Sequence, residues 1–271
     1  MMPLFSVLVV CLNPGDKLKK TMESILRQSF TDYEIIIKDG LSEDGSLSYV
    51  KILQDERIRV IEQKDTCIYD AMNQAAEAAC GRYVYFLNCG DWFYENTVLE
   101  KMAAWIEEQP SATGIYYGNI YERVTGQIVY SNPQIDAFGC YRNVPCHQAC
   151  FYDRQLLLKH PFETAYRVRA DYEQFLWCFF AKEISGKVEF NYREILIADY
   201  EGGGFSESKE NKKRSAAEHR EITSRYMSRG QLLKYKLILW ITLAPLRTLI
   251  AGNPKTAGVY NRVKKLLYKS K

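Results

Sequence analysis

Residues 83–93 read YVYFLNCGDWF. Tyr83–Leu87 is strand material, and it runs directly into an amide, a thiol, a glycine and a carboxylate at Asn88-Cys89-Gly90-Asp91. Large aromatics resume at Trp92 and Phe93. A strand that ends by presenting a single acid in so apolar a setting suggests a ligand edge, and the elements upstream support that reading.

Phe5–Leu12 is a nearly continuous apolar run, as expected of a strand covered on both faces. Asn13-Pro14-Gly15-Asp16 is a turn, and Leu18, Met22, Ile25 and Leu26 follow at helical spacing. Tyr33–Ile37 is a second strand, ending at Lys38-Asp39-Gly40; Ser46–Leu53 reads as a helix and Ile58–Ile61 as a third strand. Ile68, Met72, Ala75, Ala76 and Ala79 form a helical stripe with Gly81 at the cap position, ahead of the fourth strand. Alternation of this kind predicts an α/β fold, with a Rossmann-like, mostly parallel central sheet flanked by helices.

The second half is less regular. Ile115–Gly118 and a hairpin near Thr125-Gly126 read as extended, Asp171–Phe180 as helical and Ile195–Tyr200 as a strand. Gly202–Gly204 is a loop and Glu207–Arg229 a charged helix.

In such sheets the ligand crevice lies outside the carboxyl ends of the strands. Asp39, Asp65 and Asp91 converge on that edge, and Asp70 follows in the turn to a helix. Packed like charges need cations or donors, and a divalent metal carrying a phosphorylated ligand would supply them. The bland alternative is that these are ordinary strand-end and helix-start acids. No G-x-G-x-x-G follows the first strand and no Walker loop occurs, which argues against dinucleotide and P-loop chemistry.

Charge divides the chain. Residues 231–271 hold nine Lys or Arg and no acid, while residues 1–230 hold 27 basic and 33 acidic side chains, a net of −6. The reading is one domain over 1–230 and a basic amphipathic segment over 231–271. Leu237–Leu246 is too short to span a bilayer. Trp240 among leucines with flanking lysines fits an interfacial segment at an anionic membrane surface; the alternative is a helix docked on the body. Eight scattered cysteines suit a reduced, cytoplasmic setting. Cys146-His147-x-x-Cys150 has no second ligand pair at the spacing zinc requires. Nothing in the motifs points to nucleic acid.

The ordered motifs FSVLVVCLN, SILRQSFTDYEIIIKDGLSEDGS, QKDTCIYDAMNQAAEAACGRYVYFLNCGDWF, VPCHQACFYDRQLL, VRADYEQFLW and ADYEGGGFS cover about residues 4–230. The sequence resembles the family 2 glycosyltransferases of the GT-A fold, especially bacterial members that build capsule, exopolysaccharide and lipopolysaccharide. YFLNCGDWF sits where that family carries a D-x-D-type motif. Asn88 and Gly90 replace acids, so Asp91 alone is left to touch a divalent metal, Mg²⁺ or Mn²⁺, on the donor diphosphate.

The resemblance further implies that Asp39 bonds the donor base, commonly uracil, and that Asp65, Asp70 and Asn73 line the nucleotide-sugar pocket. It places His147 and Gln148 near the acceptor side and makes Asp171 the general base, with Glu173 turned away. Gly202–Gly204 with Phe205-Ser206 matches a segment that closes over donor, or is simply a loop. The implied activity is inverting, metal-dependent transfer from a nucleoside-diphosphate sugar, such as a UDP-sugar, to a glycan or lipid-linked glycan at the inner face of the cytoplasmic membrane. Two other classes stay open. One is a nucleotide-sugar-binding protein without turnover; the other is a sugar nucleotidyltransferase, which would want a glycine-rich basic loop after the first strand.

Overall fold

The computed structural model describes residues 2–181, 188–202 and 209–242, together with Thr256, Gly258, Val259 and Arg262. Expectations for residues 203–208 and for most of 243–271 lie outside the described residues.

Four strands build the first half: β1 (Phe5–Cys11), β2 (Tyr33–Asp39), β3 (Ile58–Glu62) and β4 (Tyr83–Phe86). They are parallel in the order β3-β2-β1-β4, with Phe5 opposite both Tyr33 and Tyr83. Every residue of β1 is buried, because helices cover both faces. Alternation along the strand sorts the side chains. Phe5, Val7 and Val9 pack with Leu18, Met22 and Ile25 of α1 (Asp16–Leu26), whereas Leu8 and Val10 pack with Met72 and Ala75 of α3 (Ile68–Ala78). Burying each such apolar side chain contributes roughly 1.5–3 kcal/mol, so the two layers dominate the stability of this half. Between β2 and β3 lies the short α2 (Leu47–Ile52).

Gly81 does not cap α3, which ends at Ala78 with Ala79 already extended. Its role is contact: a Cβ there would stand 2.6 Å from the backbone of Phe5 and Ser6, so only glycine lets the chain cross β1.

The second half departs from the parallel pattern. After β5 (Trp92–Phe93) and α4 (Val98–Glu108) come β6 (Gly114–Glu122), β7 (Gln127–Val129), α5 (Ala137–Arg142), β8 (Cys150–Asp153), α6 (Arg154–Lys159), α7 (Ala170–Phe180) and β9 (Glu189–Tyr200). β8 inserts antiparallel between β4 and β6, and β9 then runs parallel to β6. The sheet is therefore mixed, in the order β3-β2-β1-β4-β8-β6-β9-β5, with β7 on β6. The antiparallel strands follow directly on loops and short helices, which relieves them of the crossover a parallel strand requires.

The charged helix appears as α8 (Lys209–Tyr226), ending where Ser228 and Gln231 form a capping box that starts α9 (Arg229–Ile241). Tyr235 of α9 is buried against Phe138 and Tyr141, with ring centroids 5.4 and 5.3 Å away. The start of the basic segment thus packs on the body through one face. No helix among the described residues is long and apolar enough to cross a membrane.

Candidate active site

At the end of β4 the chain turns through Asn88–Asp91, with the Asp91 N–H bonded to Asn88 O at 2.9 Å. Thr21 of α1 pins the turn from beneath: its hydroxyl donates to Asp91 O (2.8 Å) and accepts from the Gly90 N–H (3.0 Å). Gly90 has φ +104°, a left-handed conformation that favours glycine, and a Cβ there would lie 2.7 Å from Glu201 Oε2, so a side chain would also displace that carboxylate. Arg123, at the end of β6, holds the same turn from the side. It donates to Gly90 O, stacks over Trp92 with its guanidinium carbon 3.8 Å from the ring centroid, and pairs at 2.6 Å with Asp199.

Asp91 is almost fully buried. Its Oδ2 accepts from Gln148 Nε2 (3.0 Å) and its Oδ1 from the Glu201 N–H (2.8 Å). Burial pushes its pKa up, and these two donors, with His147 and Arg123, only partly offset the rise.

His147 opens a short 3₁₀ turn, His147–Ala149, before β8. Its Nδ1 lies 3.1 Å from Asp171 Oδ2 and its Nε2 lies 3.0 Å from Asn88 Nδ2. An ionised carboxylate can only accept, which assigns the ring proton to Nδ1 and leaves Nε2 to accept from the amide. Asn88 Oδ1 is buried without a partner. At the N-terminus of α7, Asp171 Oδ1 accepts from Tyr69 Oη and the Tyr172 N–H, both at 2.9 Å. Burial would raise its pKa, but the hydrogen bonds from His147, Tyr69 and the Tyr172 N–H outweigh it and hold the carboxyl below the usual range. The side chain keeps 26% of its surface exposed.

Two cavities meet at Asp171. The first, about 560 Å³, is bounded by Asn13, Lys17, Asn88, Asp91, His147 and Glu201. The second, about 570 Å³, is bounded by Tyr130, Asn132, Arg142, Val144 and Arg169. Cys146, Val168, Asp171 and Tyr200 line both.

The remaining acids expected at this edge are placed differently. Asp39 is wholly buried, accepting from the Ser42 hydroxyl (2.5 Å) and N–H (2.7 Å), beside Cys11 Sγ at 3.4 Å. Asp65 pairs at 2.8 Å with the fully buried Lys38, whose ammonium also donates to Gln63 O (2.6 Å) and Asp39 O (3.1 Å). Asp70 accepts from the Thr66 N–H (2.8 Å), and hydrogen bonds from Thr66 and Gln74 hold its pKa low. Asn73 exchanges two bonds of 2.8 Å with the main chain of Phe162. None of these four lines either cavity, whereas Asp91, His147, Gln148 and Asp171 are brought together. Glu173 turns away, fully buried, toward His160 (2.9 Å), Arg225 (3.4 Å) and Tyr226.

Among the described residues, no group of three or more His, Cys, Asp or Glu could hold a metal ion. The cysteines are free; Cys146 donates to Gln148 Oε1 (2.7 Å), and burial pushes its thiol up to about 12. Asp91 is the one carboxylate of the turn, and each of its oxygens already accepts a hydrogen bond, so the turn forms no metal cage of its own. Little in the sequence marks Thr21, Tyr69, Arg123 or Glu201 as part of a site. The one cue is position, since Lys17 follows the Asn13–Gly15 turn and Glu201 precedes the glycine run.

Residues 6–163 match the family model described as glycosyl transferase family 2. A PGL/p-HBAD biosynthesis glycosyltransferase of Mycobacterium bovis (strain BCG / Pasteur 1173P2) is 33% identical over 210 residues, covering 75% of this chain and 79% of the relative. Among solved structures, the mannosyltransferase PcManGT of Pyrobaculum calidifontis, in complex with GDP-Man and Mn²⁺, superposes with a TM-score of 0.63 at 15% identity. That match covers all of this chain and 83% of the other. S. aureus TarS 1-349 in complex with UDP-GlcNAc gives 0.55 at 18% identity, over 78% of this chain and 64% of the other. Both solved neighbours share the GT-A architecture found here.

Proposed function

The chain belongs to glycosyl transferase family 2, and from that premise we propose that it transfers a sugar, with inversion, from a nucleoside-diphosphate sugar to a hydroxyl of a growing bacterial surface glycan. The observation that carries this reading is the pair of cavities meeting at Asp171, with Asp91 in one of them alone.

The donor occupies the first cavity. Its diphosphate lies by the Asn88–Asp91 turn; Asp39, wholly buried and outside the lining of that cavity, would reach the base only if Ser42 gave way. The neighbours' UDP-GlcNAc and GDP-Man make a nucleotide sugar the natural donor class. A divalent metal, Mg²⁺ or Mn²⁺, held by Asp91 and the donor phosphates would stabilise charge on the departing nucleoside diphosphate. The acceptor enters by the second cavity, where Tyr130 and Tyr200 offer sugar-stacking faces and Asn132 and Arg142 polar ones.

The Asp171 carboxylate takes the proton of the acceptor hydroxyl as that oxygen bonds the anomeric carbon. The bond from that carbon to the diphosphate breaks on the opposite face, which inverts the configuration. His147 holds Asp171 ionised and aimed, and Asn88 fixes the ring that does so. Gln148 holds the Asp91 carboxyl in place.

We further propose that α9 rests on an anionic membrane surface, near a lipid-linked acceptor. Leu233, Leu237, Trp240 and Ile241 recur on one helix face and are exposed, Trp240 by 75%. Residues 231–271 add nine cations and no acids. Sedimentation with anionic but not neutral vesicles, lost on Trp240→Glu, is the expected result. Equal binding to both vesicle types contradicts it.

The functional test is incubation with a panel of nucleotide sugars, with and without Mn²⁺ and a glycan acceptor. Acceptor-stimulated release of a nucleoside diphosphate supports the reading. Binding without release indicates a protein that has lost turnover, and pyrophosphate-dependent exchange indicates a nucleotidyltransferase.

A further inference from the structure

Lys17 stands in the first turn of α1, on the rim of the first cavity. Its ammonium lies 2.7 Å from Glu201 Oε2. The pair closes over Gly90, where a Cβ would be 3.2 Å from Lys17 Cδ and 2.7 Å from that same Glu201 oxygen. Glu201 in turn gives its main-chain N–H to Asp91 at 2.8 Å. Lys17, Glu201 and Asp91 thus run continuously around the turn.

The cavity is otherwise poor in fixed positive charge. Among its described lining residues, Lys17 and Arg167 are the only lysines or arginines, facing Asp91, Asp171 and Glu201. Arg167 already donates to Thr66 O at 3.0 Å, whereas Lys17 lies against the turn at Gly90. Any anion seated beside Asp91 therefore meets Lys17 first.

We propose that Lys17 is the cation that binds the diphosphate of the ligand, and that Glu201 is the internal anion it leaves to do so. The inference rests on the donor reading above and adds to it a charge exchange. Lys17 and Glu201 are 55% and 41% exposed, and ion pairs so well solvated contribute little, so their separation costs little. A diphosphate offers more charge and more acceptor oxygens than one carboxylate. An ammonium on a flexible stem, with three rotatable donors, can follow it. With Asp91 the sole carboxylate of its turn, Lys17 neutralises phosphate charge that metal alone would otherwise have to meet.

Calorimetric titration in EDTA with UDP, GDP and dTDP, each beside its nucleoside, tests the exchange. Lys17→Met should weaken diphosphate binding about tenfold or more and leave nucleoside affinity unchanged, while Lys17→Arg restores most of the loss. Glu201→Gln should tighten diphosphate binding severalfold, because the competitor is gone and its main-chain bond to Asp91 stays. An unchanged Lys17→Met, or a Glu201→Gln that weakens binding in parallel, overturns the exchange while leaving the donor reading intact. Wild-type protein that binds a diphosphate only with Mn²⁺ overturns the exchange alone, and folded wild-type protein that binds none of the three even with Mn²⁺ overturns both.

Discussion

Asp91 and Asp171 face one cavity from opposite halves of the sheet, and their surroundings push them in opposite directions. Asp91 closes the parallel half. Burial raises its pKa, and neutral amide donors, one from a side chain and one from the main chain, compensate only in part. Asp171 belongs to the mixed half, where a histidine and a tyrosine more than cancel its burial. A carboxyl costly to keep charged gains from a cation, so Asp91 suits a site that metal and phosphate complete. One already held ionised is ready to accept a proton, which suits Asp171. Environment divides the labour between two identical functional groups.

Four substitutions would break or sharpen this contrast. Asp171→Asn should have the largest effect, lowering transfer by about 100-fold or more, the usual contribution of a positioned base. Near-normal turnover would move the role elsewhere. Glu173→Gln, two residues away, should cost about 1–3 kcal/mol of stability and leave the turnover of folded enzyme unchanged. Burial would raise the Glu173 pKa, but bonds from His160 and Tyr226 hold it low. Its stabilisation is therefore complete above the ordinary glutamate range and is lost as pH falls through the lowered native pKa. Thermal melts between pH 7 and 3 check both parts.

Asp91→Asn should lower Mn²⁺-dependent affinity for a nucleoside diphosphate about tenfold, and affinity in EDTA much less. In the wild type, acidification should protonate Asp91 before Asp171, because the first pKa is raised and the second lowered. Metal-assisted nucleotide binding should then fail at a higher pH than the one at which the base is neutralised. The smallest effect is expected of His147→Asn. Loss of the imidazole lets the Asp171 pKa rise, so the acid limb of kcat/KM should move to higher pH. A limb that stays in place would show that His147 does not set the base.

The two halves also differed in how far the sequence could be read. Strands β1–β4 and their helices follow from unbroken apolar runs separated by helical stripes, and β1 and β2 match within two residues at either end. The antiparallel insertion of β8 was not legible, because Cys150–Asp153 (CFYD) is only four residues long, too short to show a period. The end of the charged helix was legible to within three residues, Arg229 being expected where α8 ends at Tyr226 and Ser228 with Gln231 caps α9. Asp91 stands out in the sequence as the lone acid after an apolar strand, whereas Asp171 as a base rests on the family resemblance. The links that make them a site join residues far apart in the chain, as Arg123 does to Gly90 and Glu201 to Asp91. No local pattern records such contacts, and the same holds for the enclosure of Asp39 and Lys38.

The division of labour is tested most directly by titrating one nucleoside diphosphate, with Mn²⁺, into wild type, Asp91→Asn and Asp171→Asn side by side. Binding should fall about tenfold in Asp91→Asn and stay within about twofold of wild type in Asp171→Asn, although only the latter leaves donor bound without transfer. Equal loss of affinity in the two variants would contradict the account, since both acids would then serve the donor and neither would be reserved for the acceptor.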